Sequence, residues 1–210
     1  MRMNTRLGKL SWWSIFCGCL VLVVSLPNSS NAQTRSKGRS TKEVYTGSII
    51  FFGGPTVAGP RNYGTRTRTF TLTIDCYTPN EEVQSLAGVL KDQGQDGLLK
   101  AVDKKKCGRI QIGSGVGRDV NVIFASQTEE GERKITILFD RWVEFFEARY
   151  GTRSLDYPFS YIELFVDDQK GKGEGTMIPL AKIRFRESKT IEIENFGAYP
   201  ARLTSVRRRP

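Results

Sequence analysis

The side chains able to do chemistry in this chain are few, because its 210 residues include no histidine. That absence removes the Ser-His-Asp and Cys-His nucleophilic arrangements and every zinc site that uses an imidazole. The one carboxylate cluster beside an aromatic-rich stretch is Asp140, Glu144 and Glu147. Two carboxyl groups flanked by rings are what glycoside hydrolysis requires, one as acid and the other as nucleophile or base. Surface acids next to core aromatics are also the ordinary outcome of folding, so the cluster defines an alternative and not the first reading. No other catalytic set, metal site or cofactor site emerges. Asp167, Asp168 and Glu174 lack the oxygen spacing of a calcium loop. Gly113 to Gly117 follows a strand but precedes another, so the helix N-terminus that would hold a phosphate is missing and a hairpin turn is expected.

Binding residues are easier to nominate than catalytic ones. Aromatic residues concentrate between Phe139 and Phe165. Most such rings belong to a core, but Trp142, Phe146, Tyr150 and Tyr157 at a barrel mouth would suit an apolar or sugar ligand. Arg149 and Arg153 could then fix an acidic group on it.

The elements that must carry these residues are mostly strands. From Glu43 the chain takes period two, with Val44, Thr46, Ser48, Ile50 and Phe52 on one side. Phe70, Leu72, Ile74 and Cys76 alternate with Thr69, Thr71, Thr73 and Asp75 in the cleanest strand of the sequence. Further strands take Ile110 and Ile112, then Val120, Val122 and Phe124, then Ile135, Ile137 and Phe139. Tyr157 to Val166 is apolar on both faces, which predicts a central or doubly covered strand. Pro179 predicts an edge or a bulge. Short connections imply an antiparallel meander. The expected fold is α+β and mainly β, a barrel or sandwich of eight to nine strands with a two-helix insertion at about 78–106.

That insertion is written locally. Thr78-Pro79-Asn80-Glu81 has the form of a capping box with proline at the first helical position. Val83, Leu86, Ala87 and Leu90 make one apolar face, Gly94 ends the first helix, and Leu98, Leu99, Ala101 and Val102 supply the second. Lys104, Lys105 and Lys106 fall where cations favour a helix C-terminus.

The N-terminus reads as an address. Arg2, Arg6 and Lys9 precede an apolar run from Leu10 to Leu26, and Ser30-Asn31-Ala32 is a small-x-small cleavage signal. Residues 1–32 are therefore expected to be a secretory signal peptide cut between Ala32 and Gln33, with an uncleaved membrane anchor as the rival. A basic, disordered spacer follows at 33–42, then one β-rich domain at 43–206 and a basic tail at 207–210. Of 32 basic residues three lie in the leader, leaving 29 against 22 acidic. That excess permits attraction to polyanions without specifying one, and no specific nucleic acid is expected.

Export also changes how the cysteines read. Cys17 and Cys19 leave with the leader, and Cys76 and Cys107 form an even pair. A disulfide between them would close the helical insertion at its base and stabilise by roughly 3–4 kcal/mol. Two buried thiols are the competing reading, since Cys76 shares the face of Phe70, Leu72 and Ile74 while Cys107 would point opposite to Ile110 and Ile112.

Four blocks resemble those of a family of uncharacterised exported bacterial proteins: Phe70 to Asp75, Gly108 to Gly113, Gly173 to Pro179 and Ile191 to Gly197. The resemblance runs from about Arg66 to Val206. It implies export and carries no assigned activity, so it transfers no site. The sequence thus points to an exported, non-enzymatic binding or structural protein of the cell envelope or extracellular space, its partner an apolar or glycan ligand or an envelope component. A histidine-free carboxylate hydrolase acting on glycans and a weak polyanion binder are the alternatives.

Overall fold

A computed structural model describes residues 42–52, 64–141, 156–186, 191–195 and 200–210. The expected signal peptide and nearly all of the spacer lie outside the described residues. The elements run β1 (Glu43–Phe51), β2 (Arg66–Ile74), α1 (Asn80–Val102), β3 (Gly108–Ile112), β4 (Arg118–Val120) and β5 (Val122–Gln127). They continue as β6 (Arg133–Phe139), β7 (Phe159–Asp167), β8 (Lys172–Phe185), β9 (Ile191–Asn195) and β10 (Ala201–Arg209).

Nine strands make a nearly closed antiparallel barrel in the order β4-β3-β2-β1-β10-β8-β7-β6-β5, and β9 pairs with β8 off that path. Every pairing is antiparallel. The meander is therefore observed, and the barrel rather than the sandwich is its form. The two ends of the path, β4 and β5, are separated in sequence by Asn121 alone. One bent segment thus serves both edges and leaves little free edge for another strand to extend.

The barrel interior is a packed apolar core. Tyr45, Ile49, Phe70, Leu72, Ile110, Ile123, Ile137, Phe139, Leu164 and Met177 are all buried within it. Alternation sends the other face of β5 to β8 outward, and that face is apolar too. Val122, Leu138, Phe159, Ala181 and Ile183 pack there against Leu86, Leu90, Leu98 and Val102 of α1. Each such side chain, fully buried, stabilises by roughly 1.5–3 kcal/mol. The two-faced character of the strand after Tyr157 has this cause: β7 sends Ile162, Leu164 and Val166 into the barrel core, while on its other face Phe159 and Tyr161 join the helix-side cluster.

Several expectations need correcting. In β1 the core side is that of Tyr45 and Ile49, which are fully buried, while Val44, Thr46, Ser48 and Ile50 are only half-buried. Val120, Val122 and Phe124 do not share a face: the bend at Asn121 turns Val120 and Ile123 inward and Val122 outward under the helix. The insertion is helical over Asn80–Val102, and Gly94 breaks that geometry with a φ of +68° and a ψ of −164°, a conformation that suits glycine. Thr78 does not cap it. The N-cap is Pro79, and Thr78 instead pairs with β5, its N–H donating to Ile123 O at 2.6 Å and its Oγ1 accepting from Ile123 N–H at 3.2 Å. Arg207, Arg208 and Arg209 are strand residues of β10, paired with Thr46, Tyr45 and Val44. The bulge expected at Pro179 is present, as a register shift of β8 against β7, with Ser160 Oγ donating to Pro179 O at 2.7 Å.

An ionic knot ties the chain's first described strand to the rest of the barrel end. Glu43, only 10% exposed, accepts from Tyr45 Oη at 2.7 Å, from Tyr77 Oη at 3.1 Å and from Arg133 Nη2 at 3.0 Å. Arg133, 17% exposed, also reaches Asp168 at 3.3 Å, and its guanidinium lies 5.2 Å from the Tyr77 ring centre. Burial pushes the Glu43 carboxyl up, but the hydrogen bonds from Tyr45 and Arg133 and the charges of Arg133 and Arg208 outweigh it and leave it below the ordinary value of 4.5. A depressed carboxylate stabilises the fold fully above its unfolded pKa and loses that contribution as pH falls through the folded one. Glu43→Gln leaves Arg133 with Asp168 as its carboxylate partner, beside Tyr77, and is expected to cost about 2–3 kcal/mol in urea unfolding, with an unchanged m value. Below pH 4.5 the variant should lose stability less steeply than the parent.

Candidate functional site

A concave site rich in charge lies where α1 ends, and its architecture starts from Asn121. This residue is 3% exposed. Its Nδ2 donates to Val102 O at 2.9 Å and to Lys105 O at 3.2 Å, and its Oδ1 accepts from the Asp140 N–H at 2.9 Å. Its own N–H donates to Leu138 O at 3.1 Å. Both amide protons and the amide oxygen are therefore spent on holding three segments together: the helix end, the β4–β5 bend and the end of β6. A buried amide satisfied in this way fixes the geometry of whatever surrounds it.

Around that anchor lies a pocket of about 340 Å³ lined by Lys105, Lys106, Arg109, Arg118 and Arg141, with Asp103, Asp119 and Asp140. Five cations face three carboxylates. Lys106 Nζ stands 2.7 Å from Asp119 Oδ2 and Arg109 Nη1 3.6 Å from Asp119 Oδ1. The hydrogen bond from Lys106, helped by the charge of Arg109, holds the Asp119 carboxyl below the usual range. Lys105 reaches back to Glu82 in the first turn of α1. Gly117 leaves the room that Arg109 occupies, since a Cβ there would lie 2.4 Å from Arg109 Nε. The lysine run expected to complement a helix terminus therefore acts across elements, on Glu82 and Asp119.

Of the residues nominated from sequence, Asp140 lines this pocket and is half-buried. Glu144 and Glu147 lie outside the described residues, as do Trp142, Phe146, Arg149, Tyr150 and Arg153. Tyr157 is described and sits against the β8–β9 hairpin, its Oη donating to Glu194 Oε1 at 2.5 Å and its ring 5.7 Å from Lys182 Nζ. It does not line the pocket. Asp119 and Asn121 escaped the sequence reading. A lone asparagine between two valines of an alternating strand was the available signal, because a polar side chain interrupting an apolar run needs partners to be buried.

Gly113 to Gly117 form the β3–β4 turn, with Gly113 at φ +58° and the Gly115 N–H donating to Ile112 O at 3.2 Å. The glycine-rich turn after β7 is closed by Asp167, whose Oδ1 accepts from the N–H groups of Gln169 and Lys170. Both are local turn devices. No group of three or more metal-ligating side chains occurs among the described residues.

The expected Cys76–Cys107 disulfide is not formed: both are free thiols. Cys76 Sγ lies 3.7 Å from Lys106 O, and Cys107 Sγ lies 3.7 Å from Thr78 Oγ1. The backbone already joins the two segments without a covalent bridge, Asp75 N–H and Cys76 N–H both donating to Cys107 O at 2.8 and 3.0 Å. Local desolvation, the adjacent Cys107 thiol and the carboxylates Asp75 and Glu82 push Cys76 up to about 12, although part of the residue remains exposed.

Comparison with protein-family models, with curated proteins and with solved structures yields no match. One outcome follows for the cysteines. The thiolate is the reactive form, so a thiol raised this far should alkylate slowly. Non-reducing mass spectrometry of the chain 33–210 after denaturation in iodoacetamide is expected to show two carbamidomethyl groups. The native protein at pH 8 should take up label at Cys76 far more slowly than free cysteine does.

Proposed function

We propose that this chain is an exported, non-enzymatic β-barrel protein that binds an anionic group in the pocket at Asn121. The observation that carries the reading is the excess of five cations over three carboxylates on a lining held by a buried, fully bonded amide. Two of the pocket's ion pairs, Lys106 and Arg109 with Asp119, are well exposed. Exposed pairs are worth about 0–1 kcal/mol each, so an incoming phosphate, sulfate or carboxylate can exchange for them at little cost. Arginine adds bidentate geometry suited to such groups. Export rests on the leader-like N-terminus and on the resemblance of the four sequence blocks to an exported family. The barrel interior is filled by apolar side chains, which favours ligand binding on the outer surface of the domain.

The hydrolase alternative has less support. A glycosidase needs one carboxyl group kept protonated near its working pH. Of the three carboxylates nominated for that chemistry, Asp140 alone lies among the described residues, in a lining whose cations outnumber its acids.

Binding to a sulfated polymer such as heparin tests the pocket. Retention should fall with rising salt, because each neutralised anion releases counterions. The triple variant Lys106→Ala, Arg118→Ala, Arg141→Ala is expected to elute at clearly lower salt, with a shallower dependence of affinity on salt. Equal retention of parent and variant would sink the reading, and a loss produced only by Arg207→Ala with Arg209→Ala would move the site to β10. Export has its own test: protein recovered from the exported fraction is expected to begin at Gln33, and a chain beginning at Met1 would overturn the cleavage.

A further inference from the structure

A second groove, distinct in chemistry from the cationic pocket, lies on the outer face of the barrel where β10, β8 and β7 run side by side. It measures about 380 Å³ and is lined by Phe52, Phe165, Glu174, Thr176, Pro200 and Arg202 among others. The strand registers explain the assembly. Arg202 pairs with Thr176 across β10 and β8, and Phe165 pairs with Glu174 across β7 and β8. Phe52, just past the end of β1, adds a ring that is 41% exposed, one of three large hydrophobic side chains so exposed among the described residues.

The charges of this groove cancel. Arg202 Nη2 stands 3.4 Å from Glu174 Oε2, and both side chains are mostly in solvent. A pair this long and this exposed contributes little, so its donors and acceptors are available to a ligand. Net neutrality gives no attraction for an ion. What the groove does offer is apolar ring surface next to a planar donor and a carboxylate acceptor. A hexopyranose ring has the matching surfaces: a C–H face that packs on an aromatic side chain, and vicinal hydroxyls that both donate and accept. A lining of apolar surface with a few placed polar groups, in a volume near the lower end of small-ligand sites, suits one or two sugar rings.

We propose that the Phe52–Phe165 groove binds a neutral hexopyranose unit of a glycan, with Arg202 and Glu174 bracketing a pair of adjacent hydroxyls. This inference is independent of the anionic ligand assigned to the Asn121 pocket. Titration calorimetry of the folded protein with cellobiose, maltose, laminaribiose and N,N′-diacetylchitobiose tests it. At least one disaccharide should bind, and Phe52→Ala and Arg202→Ala should each weaken it about tenfold, the loss expected for one good contact of about 1.4 kcal/mol. Both residues are exposed, and circular dichroism of each variant should match the parent. Raising salt to 0.5 M should leave the affinity unchanged, and so should the triple variant of the cationic pocket. Binding by none of the four sugars at 10 mM overturns the proposal. Binding that survives both groove variants overturns it too, as does preference for an apolar peptide over every sugar.

Discussion

The constraint on which most of this structure depends is the bend at Asn121. A sheet of nine strands can close only if its two edges meet, and here both edges belong to one stretch of chain. The residues before the bend pair with β3, those after it pair with β6, and the reversal of facing between them puts Val120 and Ile123 inside while Val122 turns out. A kink of this kind exposes backbone groups that a straight ladder would have satisfied. The Asn121 amide spends its bonds at the helix end and at Asp140, so the residue at the seam of a nearly closed barrel also shapes the cationic pocket. Structure and candidate site are for that reason hard to separate.

Two apolar layers share one wall. The barrel core lies on one side of β5 to β8, and the helix-covered cluster lies on the other. A small barrel fills its own centre with side chains, and this one does so with isoleucine, leucine and phenylalanine. The consequence is a division of labour. The interior supplies rigidity, and recognition is left to the outer surface, where polar and aromatic groups project from strands whose positions the core has already set. Contact residues on strands, such as Arg109, Arg118, Phe165 and Arg202, carry a lower ordering cost of binding than loop residues would.

Much of the fold could be read from alternation, because period two survives wherever a strand has one wet face. Phe70, Leu72 and Ile74 are the clearest instance, with all three buried as expected. Reading failed where a strand is covered on both sides or bent. β1 mixes Tyr45 and Ile49 inside with Val44 and Ile50 outside, so its apolar residues do not announce which face is which. Thr78 had the pattern of a cap, yet a threonine hydroxyl beside a strand has a competing partner in the strand backbone, and tertiary pairing with Ile123 prevailed. The candidate site was legible only through Asp140. Its cations come from α1's end, β3, β4 and the residue after Asp140, and no local pattern joins positions so far apart. The disulfide expectation rested on compartment and parity, whereas the space at the helix base is already held by backbone hydrogen bonds to Cys107.

The pairing of β1 with β10 joins the beginning of the barrel to its end. Most helical proteins assemble from neighbours in sequence, but this sheet cannot be completed until the final strand is present. Loop-closure entropy opposes that contact until the intervening strands have collapsed, and topologies dominated by such distant pairings fold slowly. A chain built this way remains open, and hence threadable, for as long as its last strand is withheld. Architecture alone thereby orders folding: the sheet is completed only once β10 can pair with both β1 and β8.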